Sequence, residues 1–95
     1  MSEQSDEKPE KTDLEKSKDI ITQLKDIRHY AEANIERLSA AWLLLDGELK
    51  KKKLAKQFEE LLSQQNKLHD AVAAAITDYE AECEQMEAKA AKAAK

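Results

Sequence analysis

From Leu14 to Leu45 the apolar residues return every three or four positions, and at Asp46-Gly47 that pattern loses its phase. Leu14, Ile21, Arg28, Ile35 and Trp42 form one column seven residues apart, and Ser17, Leu24, Ala31, Leu38 and Leu45 form a second, three residues further on. This is the seam of a helix that packs along another helix, with Ser17 and Arg28 as polar interruptions. Carried past Gly47, the same seam would place Lys52, Lys56 and Glu59 in a core, and an unpaired buried charge costs too much for that. A second seam starts there in a new phase. Leu54, Leu61, Leu68, Ala75 and Glu82 make one of its columns; Phe58, Gln65, Val72, Tyr79 and Met86 make the other.

The phase break predicts a bend, and the composition leaves few other structures open. The 95 residues include one Gly and one Pro, too little material for strands and turns, whereas Ala, Glu, Lys, Leu and Gln are strong helix formers. The expected fold is all-α: a long antiparallel helical hairpin, coiled-coil-like, that associates into a helical bundle. Residues 1–11 are polar, contain the single Pro, and read as a disordered N-terminal tail. Residues 12–95 read as the hairpin, with helix 1 at about 13–45, a bend at about 46–50 and helix 2 at about 51–92. The stretch Thr12-Asp13-Leu14-Glu15 fits a capping box that starts helix 1.

Set antiparallel, the two seams pair level by level: Trp42 with Leu54, Leu38 with Phe58, Ser17 with Tyr79. The expected hairpin core is Ile21, Leu24, Ile35, Leu38, Trp42, Leu54, Phe58, Leu61, Leu68, Val72 and Tyr79. Arg28 and Gln65 are seam residues that fix register. The apolar stripe is wider than two helices need. Ile20, Ile27 and Ala41 flank the first seam, and Leu62, Ile76 and Cys83 flank the second; these six are the expected partner interface. On this reading the two rows fall on opposite sides of the hairpin.

The formal net charge is −4 and the pI near 5.2, which argues against a general nucleic-acid binder. The charge is unevenly spread. Lys50–Lys53 and Lys56 form a basic block at the bend, and Asp78, Glu80, Glu82, Glu84 and Glu87 form an acidic block. Cys83 is alone, so no intrachain disulfide forms. The first residues lack an apolar signal segment, and the longest apolar run, Ala40–Leu45, is far too short to span a bilayer. The expectation is a cytoplasmic protein with no membrane partner, signal-less export being left open.

No phosphate-binding glycine loop, nucleophile elbow or metal-ligand motif occurs. His29 and His69 are expected on one flank as surface residues. No catalytic, cofactor-binding or metal site is predicted. The function expected is a non-enzymatic protein–protein interaction module, an adaptor, small chaperone or assembly factor, whose partner is a second copy (a homodimer) or another helical protein. Two alternatives stand beside it: a small dimeric nucleic-acid regulator using the basic bend, and a secreted or structural helical-hairpin subunit.

Overall fold

The computed structural model describes residues 12–94 as two long helices joined by a tight bend. Helix α1 is Asp13–Leu43, a π-helical turn follows at Leu44–Glu48, and helix α2 is Lys52–Ala94. No strand occurs among the described residues. The helices run antiparallel, as cross-helix contacts from Lys18–Glu87 at one end to Trp42–Glu59 near the other require, and the molecule is 66 Å long. The predicted tail, residues 1–11, lies outside the described residues.

Local chemistry starts α1 where the sequence says it should. Thr12 Oγ1 accepts from the Glu15 backbone N–H at 3.1 Å, and Glu15 Oε1 accepts from the Thr12 N–H at 3.0 Å. Two of the helix's unpaired donors are thereby satisfied.

The bend departs from expectation in detail. Gly47 does not break the helix: it has no positive φ, and it sits within the π-helical turn. The reversal belongs to Lys50, whose φ of 56° lies in the left-handed region. The Leu49 N–H reaches back to the Leu44 carbonyl at 2.8 Å, and the Lys51 N–H to the Leu45 carbonyl at 2.6 Å. These bonds close the helix end as a left-handed cap does. Lys52 Nζ adds a latch, donating to the Asp46 carbonyl and to Asp46 Oδ1, each at 2.9 Å.

The α1 seam is the one read from the sequence, with Ser17, Ile21 and Ala31 buried and Leu14, Leu24, Arg28, Ile35, Leu38, Trp42 and Leu45 partly so. On α2 one column is likewise as read: Val72 is buried, and Phe58, Gln65, Tyr79 and Met86 are partly buried. The other column is shifted by one residue. Leu54, Leu61 and Leu68, assigned to the core, are 41–43% exposed. Their places are taken by Ala55, Leu62, His69, Ile76 and Cys83, with Ala55, Ile76 and Cys83 only 2–4% exposed. Three of the six residues expected at a partner interface, Leu62, Ile76 and Cys83, therefore line the intramolecular seam.

The physical reason lies at the far end of the column. A stiff helix must commit to one face along its whole length. Burying the Leu54 column would carry Glu82 into the seam, where its carboxylate would lose water without a partner. Turning the helix by one residue half-exposes three leucines and brings Ile76 and Cys83 inward. There they join Ile21 and Val72 in the buried cluster, with Leu14, Leu24 and Tyr79 packed against it. The pairing Ser17–Tyr79 persists as a hydrogen bond, Tyr79 Oη donating to the buried Ser17 Oγ at 2.8 Å. Trp42 reaches Glu59, its indole N–H donating to Glu59 Oε2 at 3.0 Å.

A candidate helix-docking flank

Fixing the seam also fixes what flanks it. In an antiparallel pair, equivalent flanks of the two helices come to the same side. Residues that directly follow the second column of each helix share one side. They include Lys18, Lys25 and Glu32 on α1 and Glu80 and Glu87 on α2. Residues that directly precede the first column share the other. They are Ile20, Ile27, Asn34 and Ala41 on α1 and Leu54, Leu61, Leu68, Ala75 and Glu82 on α2.

The first side is polar and already partnered. Lys18 Nζ lies 2.7 Å from Glu87 Oε2, and one heptad along Lys25 Nζ lies 3.2 Å from Glu80 Oε2. The hydrogen bond to Glu87 holds the Lys18 ammonium above its ordinary pKa. Between these pairs runs an open groove of about 450 Å³, with the buried Ile21 and Cys83 at its floor. Further along, His69 Nε2 lies 2.9 Å from Glu32 Oε2 and Nδ1 lies 3.3 Å from Asp70 Oδ1. Hydrogen bonds to Glu32 and then Asp70 raise the His69 pKa, and the bond to His69 lowers that of Glu32. His69, expected at the surface, is thus a partly buried seam residue. His29 stays exposed and rests edge-on against Tyr30, ring centroids 5.7 Å apart.

The second side is apolar and open. Ile20 and Ile27 are each 44% exposed, close to the values for Leu54, Leu61 and Leu68. Ala41 is partly buried among them. Asn34 Nδ2 donates across this side to Gln65 Oε1 at 3.4 Å, and Asn34, Leu38 and Leu61 line one open groove of about 240 Å³. Both helices thus contribute to one apolar strip; of the two rows expected on opposite sides, the Ile20 row lies on this strip and the Leu62, Ile76 and Cys83 row lies in the seam. Ile20 and Ile27 were named from the sequence. Leu54, Leu61 and Leu68 were assigned to the core instead, and the signal that could have placed them here was Glu82 in their own column.

Beyond the strip, Leu43, Leu44 and Leu49 at the bend are 65%, 51% and 54% exposed. Among the described residues no group of three or more His, Cys, Asp or Glu side chains is placed to hold a metal ion, and no helix is long and apolar enough to cross a membrane. No family model, no curated protein and no solved structure matches the chain.

Proposed function

We propose that this chain is a non-enzymatic protein–protein interaction module, of the adaptor, small-chaperone or assembly-factor kind, that works by presenting its apolar strip to other helices. One observation carries the reading. Five large side chains, Ile20, Ile27, Leu54, Leu61 and Leu68, are each 41–44% exposed along one side of the hairpin. The other side is polar and carries the Lys18–Glu87 and Lys25–Glu80 ion pairs. Rows of half-exposed aliphatic residues at heptad spacing form ridges and grooves into which a partner helix packs. Covering them removes apolar area from water at roughly 25 cal/mol per Å².

The test is a pair of substitutions in the strip, Ile27→Glu with Leu61→Glu, made in the full chain. Neither residue is in the seam, so circular dichroism is expected to retain the helical signal. Sedimentation is expected to change from an assembly to a monomer. An assembly of unchanged size in the double variant contradicts the reading.

A further inference from the structure

We propose that the occupant of the apolar strip is a second copy of this chain, set antiparallel so that the two bends lie at opposite ends of a four-helix bundle. The proposal rests on the strip being a docking surface, and two features of the strip select this occupant.

The first is shape. Along the strip from the bend outward, the successive levels are Ala41 beside Leu54, Asn34 beside Leu61, Ile27 beside Leu68 and Ile20 beside Ala75. Large residues lie on α2 near the bend and on α1 away from it. A copy turned end for end about an axis between the Leu61 and Leu68 levels sets Leu54 against the other copy's Ala75, Leu61 against its Leu68, and Ile20 against its Ala41. Large thus meets small at both ends, as close packing requires. A copy set parallel would place Leu54 on Ala41 and Ile20 on Ala75 in the same way, so shape fits a second copy and the direction is chosen by charge. The contact is isologous and closes at two copies.

The second is charge. Lys50, Lys51 and Lys53 are exposed and make no ion pair among the described residues, and the first turn of α2 contains no acidic residue. The bend therefore sets three lysines without ion-pair partners against one acidic residue, Glu48, since Asp46 is engaged by Lys52. Asp78 and Glu82 are likewise exposed and without ion pairs among the described residues. They line an open groove of about 340 Å³ on the strip side of α2. About that axis, Lys50 and Lys51 of one copy come level with Asp78 and Tyr79 of the other, roughly 22 Å from the axis at 1.5 Å per residue. Each lysine cluster then faces an acidic pair, twice per dimer. A copy set with both bends at one end would instead bring the two lysine clusters together, which repulsion disfavours.

The experiment is a reciprocal charge exchange in the full chain, read by sedimentation. The wild type is expected to be a dimer. The variant Lys50→Glu/Lys51→Glu/Lys53→Glu is expected to dimerise about tenfold more weakly or worse, as several exposed pairs become repulsions. Acidic residues at a helix start favour the helix, so circular dichroism should show no loss of fold. The variant Asp78→Lys/Glu82→Lys is expected to weaken likewise, and an equimolar mixture of the two to regain wild-type affinity as a heterodimer. A helical monomer in the wild type overturns the second copy while leaving the strip free for another protein's helix. A dimer that survives Ile27→Glu/Leu61→Glu overturns the strip itself, and the second copy with it. A dimer lost in that variant yet undiminished in both charge variants overturns the antiparallel arrangement.

Discussion

The imidazole Nε2 of His69 lies 2.9 Å from Oε2 of Glu32, joining α2 to α1 from a seam position that a helical core ordinarily fills with an aliphatic residue. A titratable group therefore sits in the contact that holds the hairpin shut. Glu32 faces it from α1 and Asp70 from its own helix, while Arg28 and His29 act on Glu32.

The pairing makes stability depend on pH in a defined direction. The His69 pKa is raised on folding by Glu32 and Asp70. Its contribution is thus complete below the unfolded value of about 6.5 and is lost as pH rises through the raised value. The Glu32 pKa is lowered, so its share is present above the unfolded value of 4.5 and is lost as pH falls. The melting temperature is expected to be higher at pH 5.5–6 than at pH 8.5, about where the two windows overlap. In His69→Leu the decline between those pH values should flatten. An equal decline in the variant would place the responsible group elsewhere.

The bend carries its glycine at a position that does not use it. A Cβ on Gly47 would meet nothing within 4 Å, and its φ is not positive. Gly47→Ala is expected to raise stability by about 0.5–1 kcal/mol, because it removes the entropy that glycine loses in a helix. Lys50 holds the left-handed conformation without glycine's freedom, and Lys50→Gly is expected to add about 1 kcal/mol. Urea unfolding of both single variants checks this. A loss in Gly47→Ala would mean that residue 47, not 50, turns the chain.

Neighbouring α2 columns should respond in opposite ways to truncation. Ile76 is buried in the cluster with Ile21 and Val72, and Ile76→Ala is expected to cost the hairpin about 2–4 kcal/mol. Leu68 is nearly half exposed, and Leu68→Ala is expected to cost about 1 kcal/mol or less in the monomer while weakening association. Unfolding measured below the association concentration separates the two effects.

The buried Ser17 hydroxyl is the acceptor for Tyr79 Oη. Ser17→Ala is expected to cost about 0.5–1.5 kcal/mol, through a partly buried phenol left without its acceptor. Adding Tyr79→Phe should recover part of it. If the double variant is destabilised by the full sum of its single effects, the bond contributes nothing.

Much of this arrangement was legible in the sequence, because the features that encode it are local. The Thr12–Glu15 box, the α1 seam and the need for a bend each follow from residues within a turn or a heptad of one another. Two features were not legible, each for a physical reason. The left-handed residue is Lys50, a type that gives no turn signal, while Gly47 gives one and continues the helix. Around Phe58, Leu54 and Leu61 fit a heptad as well as Ala55 and Leu62 do, and local hydrophobicity favours the leucines. The choice is made some 20 residues away, roughly three heptads along the helix, where Glu82 and Cys83 compete for the seam. Once α2 is turned by that one residue, the spare aliphatic side chains gather on one side, and the candidate docking flank follows.

The most direct measurement of the central claim is a nitroxide accessibility scan along α2, one labelled position at a time, at low and at high protein concentration. Labels at 55, 62, 76 and 83 are expected to be protected from a polar relaxation agent at every concentration. Labels at 54, 61 and 68 are expected to be accessible in dilute protein and to become protected as the concentration rises. Protection at 54, 61 and 68 that does not depend on concentration, with 62, 76 and 83 accessible, would contradict both the seam and the docking flank built on it.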